Sequence, residues 1–324
     1  MTDLDLDRIA RAATVIDPVF LNSPQYVEPT LADALGRPVL TKVETLNPLR
    51  SFKGRGADFL VSELPAGSTV VCASSGGNFG QGIGYAARRH GLRADVFVSR
   101  STSPVKLARM AALGVRVHQV DHEPAARAEE FAAQGPDRTF VYDGRDAAIA
   151  EGAGTIGIEL LRTGGFDTVV LPLGDGALIT GVARWLKAHA PGVRIIGVGS
   201  ATAPALAESW RTGEVLAIPK TSTFAAGIAI DRPAPEAVRR TRELVDDMVL
   251  VSDEEILAAM HLAARTLGVL LEPAGASGLA AIAERNIPGD LVATVLTGAN
   301  VDLEHFAGLL LPVNAEHGES GAHL

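Results

Sequence analysis

Short apolar runs alternate with longer amphipathic stretches along most of the chain. Runs of about five residues, rich in valine and isoleucine, are typical of strands buried on both faces, and they occupy 69–73, 94–98, 168–171 and 194–198. Between them, helical spacing of apolar residues predicts helices at 80–90, 104–113 and 178–188. This alternation predicts an α/β protein whose sheets are mainly parallel.

The alternation divides into two blocks. We predict a small α/β domain over residues 41–145 and a large α/β domain formed by residues 1–40 and 146–312. Residues 313–324 are polar, show no periodicity and are expected to form a loose C-terminal tail.

Composition narrows the class of protein. With 34 glycines and 5% aromatic residues, the chain suits an enzyme with many tight strand-to-helix turns. The net charge of −9 argues against a nucleic-acid partner, because no basic stripe is present to neutralise phosphates. The acidic N-terminus does not resemble a signal peptide, and no apolar run approaches the roughly 18 residues of a membrane span. We therefore expect a cytoplasmic protein with no membrane partner.

Four short stretches carry candidate chemistry. Ser51-Phe52-Lys53 follows an Asn-Pro loop and opens a predicted helix, so its lysine combines a fixed backbone with a mobile amine. The stretches 74–81 and 172–178 connect strands to helices through glycines, which can direct several N–H groups at one anion. Thr297 ends an apolar strand. Taken singly, the lysine can be an ordinary surface charge, the stretch 74–81 a helix cap, the stretch 172–178 a tight turn and Thr297 a strand end.

Together and in this order, the four stretches resemble the fold-type-II family of pyridoxal-phosphate enzymes, which is tryptophan synthase β-like and includes serine and threonine dehydratases, serine racemases and threonine synthases. The resemblance covers residues 39–301 and is strongest toward the dehydratase and racemase group. It implies two open, mainly parallel α/β/α sheets with pyridoxal 5'-phosphate in the cleft between the domains, and a homodimer. Because the core-like pattern ends near Leu311, we expect no appended regulatory domain.

The resemblance also assigns roles to residues. Lys53 would form the Schiff base with the cofactor and later take the substrate's α-proton, for which its amine must be partly neutral. Phe52 would pack beside the ring, and Thr297 would bind the ring nitrogen. Gly227 would allow backbone to approach the cofactor, and Glu272 would lie near the ring. The phosphate would be held by backbone N–H groups of Gly174, Asp175, Gly176, Ala177 and Leu178.

The stretch 75–79 would bind the substrate in such an enzyme. Ser75, Gly76, Gly77 and Asn78 would cradle the substrate carboxylate, Phe79 would adjoin it, and Asn78 would also contact the cofactor's phenolic oxygen. The implied reaction is loss of water from a β-hydroxy-α-amino acid through an aminoacrylate-type intermediate, giving a 2-oxo acid and ammonia.

Several positions depart from the usual pattern. Phe79 replaces a histidine and Ala226 an aspartate, which predicts a more apolar pocket and a substrate bulkier or more apolar than serine. Gly76 lacks the second serine hydroxyl of the racemases, so racemisation is disfavoured. Arg50 stands where the family has glycine. The segment 196–200 lacks the glutamate that binds a divalent metal in several relatives, so no metal site is predicted.

Other functions remain open on the sequence alone. A β- or γ-replacement synthase, similar to cysteine or threonine synthases, would use the same cofactor and lysine. A dinucleotide-binding protein is disfavoured because 80–84 lacks the complete glycine spacing and no acidic residue follows at the expected distance. A protein that binds the cofactor without catalysis is disfavoured by the presence of Lys53.

Overall fold

The computed structural model describes residues 2–74, 77–219 and 221–301. The candidate substrate ligands Ser75 and Gly76, the end of the large domain and the predicted tail at 313–324 lie outside the described residues. Ten strands are described: β1 (Gln25–Val27), β2 (Val39–Val43), β3 (Thr69–Ala73), β4 (Arg93–Ser99), β5 (Arg116–Val120), β6 (Arg138–Phe140), β7 (Thr168–Pro172), β8 (Arg194–Ser200), β9 (Asp247–Val251) and β10 (Val292–Leu296).

Helices follow or precede most of these strands, as the alternating pattern predicts. They are α1 (Leu6–Val15), α2 (Pro29–Leu35), α3 (Lys53–Ser62), α4 (Asn78–Arg89), α5 (Pro104–Ala112), α6 (Pro124–Ala133), α7 (Ala147–Thr163), α8 (Ala177–His189), α9 (Ala205–Thr212), α10 (Pro235–Leu244), α11 (Asp253–Leu267) and α12 (Pro273–Glu284). Two short 3₁₀ helices lie at Pro18–Phe20 and Ala226–Ile228. Among the described helices, none has both the length and the apolar composition needed to cross a membrane.

The strands form two separate sheets. The larger has the order β1-β2-β10-β7-β8-β9, and the smaller has the order β5-β4-β3-β6. All pairs are parallel except β1 with β2. The central strands β7 and β10 are buried at every position, as expected of strands covered by helices on both faces. The predicted fold class, two open and mainly parallel α/β/α sheets, is confirmed.

Strand β2 differs from the grouping expected from the sequence. Its residues 41–43 fall within the stretch predicted to form the small domain, but β2 pairs in register with β10 of the larger sheet, Val39 opposite Val292. All five β2 residues are buried, which suits a strand flanked on both sides. The chain therefore leaves the larger sheet after β2 and enters the smaller one at β3. The domain limits themselves stay a prediction.

Helix α7 connects the elements that carry the candidate site. A Cβ at Gly152 of α7 would lie 2.7 Å from the carbonyl oxygen of Arg55 in α3. A Cβ at Gly181 of α8 would lie 1.9 Å from the carbonyl oxygen of Ala150 in α7. Only glycine permits such close backbone contact at these two positions. The lysine helix α3 and the helix after the glycine-rich turn, α8, are thus packed against one common helix.

Candidate active site

Lys53 is the first residue of α3, at the end of a loop that is fixed by its own side chains. Asn47 donates from Nδ2 to the carbonyl oxygen of Glu44 at 2.8 Å and so closes the turn after β2. The backbone N–H of Phe52 donates to the carbonyl oxygen of Thr297 at 3.0 Å, which ties this loop to the end of β10. The structure therefore brings together Lys53, Phe52 and Thr297, three residues that the sequence placed at the cofactor.

Two aromatic rings and one carboxylate form walls beside the amine of Lys53. Its Nζ is 5.0 Å from the ring centroid of Phe52 and 5.9 Å from that of Phe79. The third wall is charged, because Nζ forms an ion pair with Oδ2 of Asp143. The lysine side chain is 16% exposed, so it is shielded but can be reached.

The ionisation of Lys53 differs from the expectation of a partly neutral amine. Burial lowers the pKa of Lys53, but the carboxylates of Asp143, Asp175 and Glu272 outweigh burial and leave the pKa raised. The protonated form is therefore favoured in the protein without cofactor. A partly neutral amine was expected from the resemblance, and the three acidic neighbours, which come from three other segments, were not foreseen.

Asp143 was not among the predicted site residues. It follows β6 in the turn before α7. Since β6 pairs in parallel with β3, the carboxyl ends of both strands meet at one edge of the smaller sheet. An aspartate directly after a short strand, on the same edge as the stretch 74–81, is the signal from which it could have been found.

The glycine-rich turn between β7 and α8 has the shape that a bound anion requires. A Cβ at Gly174 would lie 2.6 Å from the carbonyl oxygen of Gly227, and a Cβ at Gly227 would lie 2.8 Å from Cβ of Ala274. Gly176, with φ of 92°, is the N-cap of α8. The first turn of any helix presents N–H groups without intrahelical acceptors. The turn, including Ala177 and Leu178, thus fits the phosphate of the predicted cofactor.

Asp175 is the acidic residue of this turn. It contributes to the raised pKa of Lys53. Burial raises the pKa of Tyr142 to about 12, with further contributions from Asp175 and Asp143. The carboxylate therefore interacts with the pocket as well as flanking the anion-binding turn.

The stretch after β3 is ordered by Ser74. Its buried Oγ accepts hydrogen bonds from the backbone N–H groups of Gly77, at 3.1 Å, and Gly80, at 3.2 Å. Gly77 is the N-cap of α4 with φ of 85°, and a Cβ there would lie 3.3 Å from Cδ of Lys106. The described part of the predicted carboxylate cradle is therefore a helix N-terminus with a lysine beside it.

Asn78 belongs to a polar chain that crosses the site. Its Nδ2 donates to Oε1 of Glu272 at 2.6 Å, and its Oδ1 accepts from Nδ2 of Asn300 at 2.9 Å. Arg109 of α5 donates from Nη1 to Oδ1 of Asn300 at 2.6 Å. Asn300 and Arg109 had no predicted role, because only the fold brings these two residues to Asn78.

Glu272 precedes α12 and is placed against the strand end that carries Thr297. Burial raises the pKa of Glu272 to about 7, against the opposing effects of Asn78 and Lys106. A Cβ at Gly298 would lie 2.2 Å from Oε1 of Glu272, so the carboxylate rests directly on that backbone. The site therefore contains, besides Lys53, a carboxyl group whose pKa lies near neutral pH.

The remaining predicted positions differ in burial. Phe79 is buried, whereas Ala226 and Gly227 lie in a short 3₁₀ helix that is partly exposed. Thr297 is 4% exposed. Within residues 2–74, 77–219 and 221–301, no group of three or more His, Cys, Asp or Glu side chains is arranged to hold a metal ion.

The chain combines two mainly parallel sheets, a lysine at a helix start and a glycine-rich turn that the Asp143 turn connects to it. These features are those of an enzyme that works through a phosphorylated aldehyde cofactor bound to a lysine. Comparison with known proteins agrees with this class. The family model described as pyridoxal-phosphate dependent enzyme matches residues 17–298, and the chain belongs to this family.

Similar proteins refine the comparison. The chain is 35% identical to an L-threonine ammonia-lyase of Geobacter sulfurreducens, over 84% of this chain and 70% of that protein. It is 33% identical to a biosynthetic L-threonine dehydratase of Pasteurella multocida, over 84% of this chain, and spans about half (55%) of that protein's length. The structure of maize serine racemase is similar with a TM-score of 0.88 and 26% identity, over 94% of this chain and 96% of that chain.

These findings confirm the predicted family, the fold and the cofactor, pyridoxal 5'-phosphate. The individual site residues, apart from their placement described above, stay predictions.

Proposed function

We propose that the protein is a pyridoxal-phosphate-dependent ammonia-lyase that removes water from a β-hydroxy-α-amino acid and yields a 2-oxo acid and ammonia. The observation that carries the proposal is the position of Lys53. Its amine lies at the start of α3, beside two aromatic rings, and pairs with Asp143, whose neighbour Gly144 lies against Asp175 of the glycine-rich turn. The ammonia-lyase and dehydratase relatives support elimination over other reactions of the same cofactor.

When bound, the cofactor supplies an aldehyde that condenses with an amine and a ring that withdraws electrons from the substrate's α-carbon. Residues of the chain would bind and orient the cofactor. The turn Gly174–Leu178 would hold the phosphate, Thr297 the ring nitrogen and Asn78 the phenolic oxygen, with Gly227 and Glu272 beside the ring. The hydroxyl of Thr297 cannot keep a ring nitrogen protonated as a carboxylate does, which favours elimination over reactions that need a longer-lived carbanion.

Lys53 would move the α-proton. A free amine accepts this proton only when it is neutral, so the amine must first lose the proton that its acidic neighbours stabilise. Ser75, Gly76, Gly77 and Asn78 would orient the substrate through its carboxylate, with the adjacent positive end of α4 as counter-charge.

The side chain of the substrate would contact Phe79 and Ala226. Phe79 is buried and forms one wall beside the lysine. We propose a preference for threonine or phenylserine over serine, because an additional methyl or phenyl group buries apolar surface against that wall.

The direct test is product formation by the purified protein loaded with pyridoxal phosphate. Serine, threonine and phenylserine are compared by the rate of 2-oxo acid and ammonia release. Lys53→Ala serves as control and should lose the imine absorbance, the borohydride-stable modification and turnover. A product that incorporates an added thiol, with little 2-oxo acid, would instead identify a replacement synthase. Absence of an imine spectrum in the unaltered protein would contradict both functions.

We also propose that the protein is a cytoplasmic homodimer whose two domains, 41–145 and 1–40 with 146–312, enclose the cofactor. Closed homodimers are the commonest symmetric assemblies. Sedimentation velocity of the loaded protein tests the assembly, and a monomer at micromolar concentration would contradict it.

A further inference from the structure

The two carboxylate oxygens of Asp143 have different surroundings. Oδ2 is paired with Nζ of Lys53. Oδ1 is buried, and no hydrogen-bond partner for it exists among the residues that the structure describes. The side chain is 10% exposed. Leaving a buried carboxylate oxygen without a partner costs free energy, so this oxygen is suited to a partner that arrives with the substrate.

The backbone around Asp143 is fixed from several sides. Tyr142 donates its N–H to Oδ2 of Asp146 at 2.6 Å and so closes the turn. A Cβ at Gly144 would lie 2.3 Å from the carbonyl oxygen of Asp175, so the turn lies directly on the anion-binding segment. The buried guanidinium of Arg240 donates to the carbonyl oxygen of Gly144 at 3.1 Å. Asp143 is therefore held beside the lysine by a rigid turn.

We propose that Asp143 is the second acid–base residue of this site and passes the proton that Lys53 removes from the α-carbon to the leaving β-oxygen. This inference rests on the proposed dehydratase function. It follows from the direct contact between Asp143 and Lys53 and from Oδ1, which has no partner among the described residues and can accept a hydrogen bond from the substrate's hydroxyl and so hold the β-oxygen beside the carboxyl group. Loss of hydroxide without a proton is slow at neutral pH, and a carboxylic acid in contact with the leaving oxygen removes that barrier.

Each proton and electron pair in this relay has a defined origin and destination. The α C–H bond breaks and its proton goes to the neutral amine of Lys53. The resulting ammonium gives a proton to Oδ2 of Asp143. The carboxylic acid then protonates the β-oxygen as the Cβ–O bond breaks, and water leaves with that bond's electron pair. The electron pair of the C–H bond becomes the new Cα–Cβ π bond, and both residues regain their initial protonation states.

A leaving group that needs no proton separates this role from a purely positional one. Chloride leaves without protonation, so β-chloroalanine bypasses the relay and still requires Lys53. In the loaded enzyme, Asp143→Asn should lower kcat for the best hydroxyamino acid at least 100-fold and kcat for β-chloroalanine less than 5-fold. Asp143→Glu, which keeps a carboxyl group, should retain more hydroxyamino acid activity than Asp143→Asn. Equal losses on both substrates in Asp143→Asn would overturn the proposal.

Asp231 provides a matched control. It is an exposed aspartate that acts electrostatically on Tyr142, as Asp143 does, and it has no assigned part in the site. Asp231→Asn should leave both rates within 2-fold of the unaltered enzyme. A loss on hydroxyamino acids as large as that of Asp143→Asn would show a general charge effect and would overturn the relay.

The cofactor-free protein gives an independent readout. The rate of Lys53 acylation by acetic anhydride, followed by mass spectrometry across pH, reports the ionisation of its amine. Asp143→Asn should move the midpoint downward by at least one pH unit, and an unchanged midpoint would overturn the coupling. A wild type that shows this coupling and turns over β-chloroalanine but no hydroxyamino acid would overturn the proposed function itself. If the wild type is active on hydroxyamino acids and Asp143→Asn loses equal activity on both substrates, only the relay is overturned.

Discussion

Arg55 and Glu44 form a bidentate ion pair in which both side chains are fully buried. Nε and Nη2 of Arg55 donate to the two carboxylate oxygens of Glu44 at 2.9 and 2.8 Å. Nη1 reaches Oε1 of Glu159 at 2.7 Å, and Lys42 completes a group of two cations and two anions by contacting Glu159 at 2.6 Å. This cluster joins β2, α3 and α7 two residues after the reactive Lys53.

Arg55→Met tests the contribution of this cluster to stability. Removing the guanidinium leaves two buried carboxylates facing one lysine, so we expect the free energy of unfolding to fall by about 3–5 kcal/mol. Urea unfolding followed by circular dichroism measures it. Arg127→Met is the control, because Arg127 and its partner Glu130 are both more than half exposed and should change stability little. Similar losses in both variants would contradict the argument.

Gly174→Ala tests the close approach that shapes the anion-binding turn. The added Cβ would lie 2.6 Å from the carbonyl oxygen of Gly227, and that backbone cannot move away without displacing its own contact with Ala274. We expect the affinity for pyridoxal phosphate to fall at least 10-fold, measured by fluorescence titration of the cofactor-free protein. Gly192→Ala is the control, since a Cβ there meets nothing within 4 Å. Unchanged affinity in Gly174→Ala would show that the turn does not hold the phosphate.

Arg50→Gly tests a local strain next to the lysine loop. Arg50 has φ of 49°, in the left-handed region that side chains disfavour, at the position where the family resemblance expects glycine. Relief of this strain exceeds the added chain entropy of glycine, so we expect stabilisation of roughly 0.5–1 kcal/mol. The melting temperature measures the effect. Arg50→Ala removes the same side chain but retains a Cβ, so a gain of equal size there would contradict the explanation.

Part of the candidate site could be predicted from the sequence alone. The sequence was sufficient where one continuous segment determines both the structure and the role. In the stretch from β7 to α8, an apolar run predicts the strand, glycines predict the turn at Gly174, and helical spacing predicts the helix. Lys53 was assigned to the cofactor by the resemblance of its stretch and three others to a known family. Asp143 and Arg109 were missed because their roles depend on which strand ends meet at one edge, and this is set by long-range pairing of β6 with β3 and by the placement of α5.

The strand β2 shows the same limit in the fold. Its five apolar and polar residues are all buried, so its sequence indicates a strand within a sheet but not which sheet. Pairing with β10, in which Val39 lies opposite Val292, 253 positions later in the chain, places it in the larger sheet. The hydrophobic pattern of a segment predicts that a strand is buried. It does not predict which strands pair with it, because pairing depends on the topology of the whole sheet.

Glu272 gives the cofactor-free protein a characteristic pH dependence. Burial raises its pKa from 4.5 to about 7, so the folded state binds this proton more tightly than the unfolded state does. Its contribution to stability is therefore full below pH 4.5, declines as pH rises from 4.5 to 7 and is lost above that range. The total change is on the order of 3 kcal/mol, at 1.36 kcal/mol for each unit of pKa shift.

Glu272→Gln isolates this contribution because a neutral amide keeps the shape of the protonated acid. We expect the variant to match the unaltered protein near pH 5 and to become progressively more stable than it toward pH 8, measured by urea unfolding without cofactor. Glu284→Gln, an exposed position at the other end of α12, corrects for general charge effects. If the stability difference between Glu272→Gln and the unaltered protein stays constant from pH 5 to pH 8, then Glu272 does not titrate near neutrality, and the ionised form is accommodated by Asn78 and Lys106.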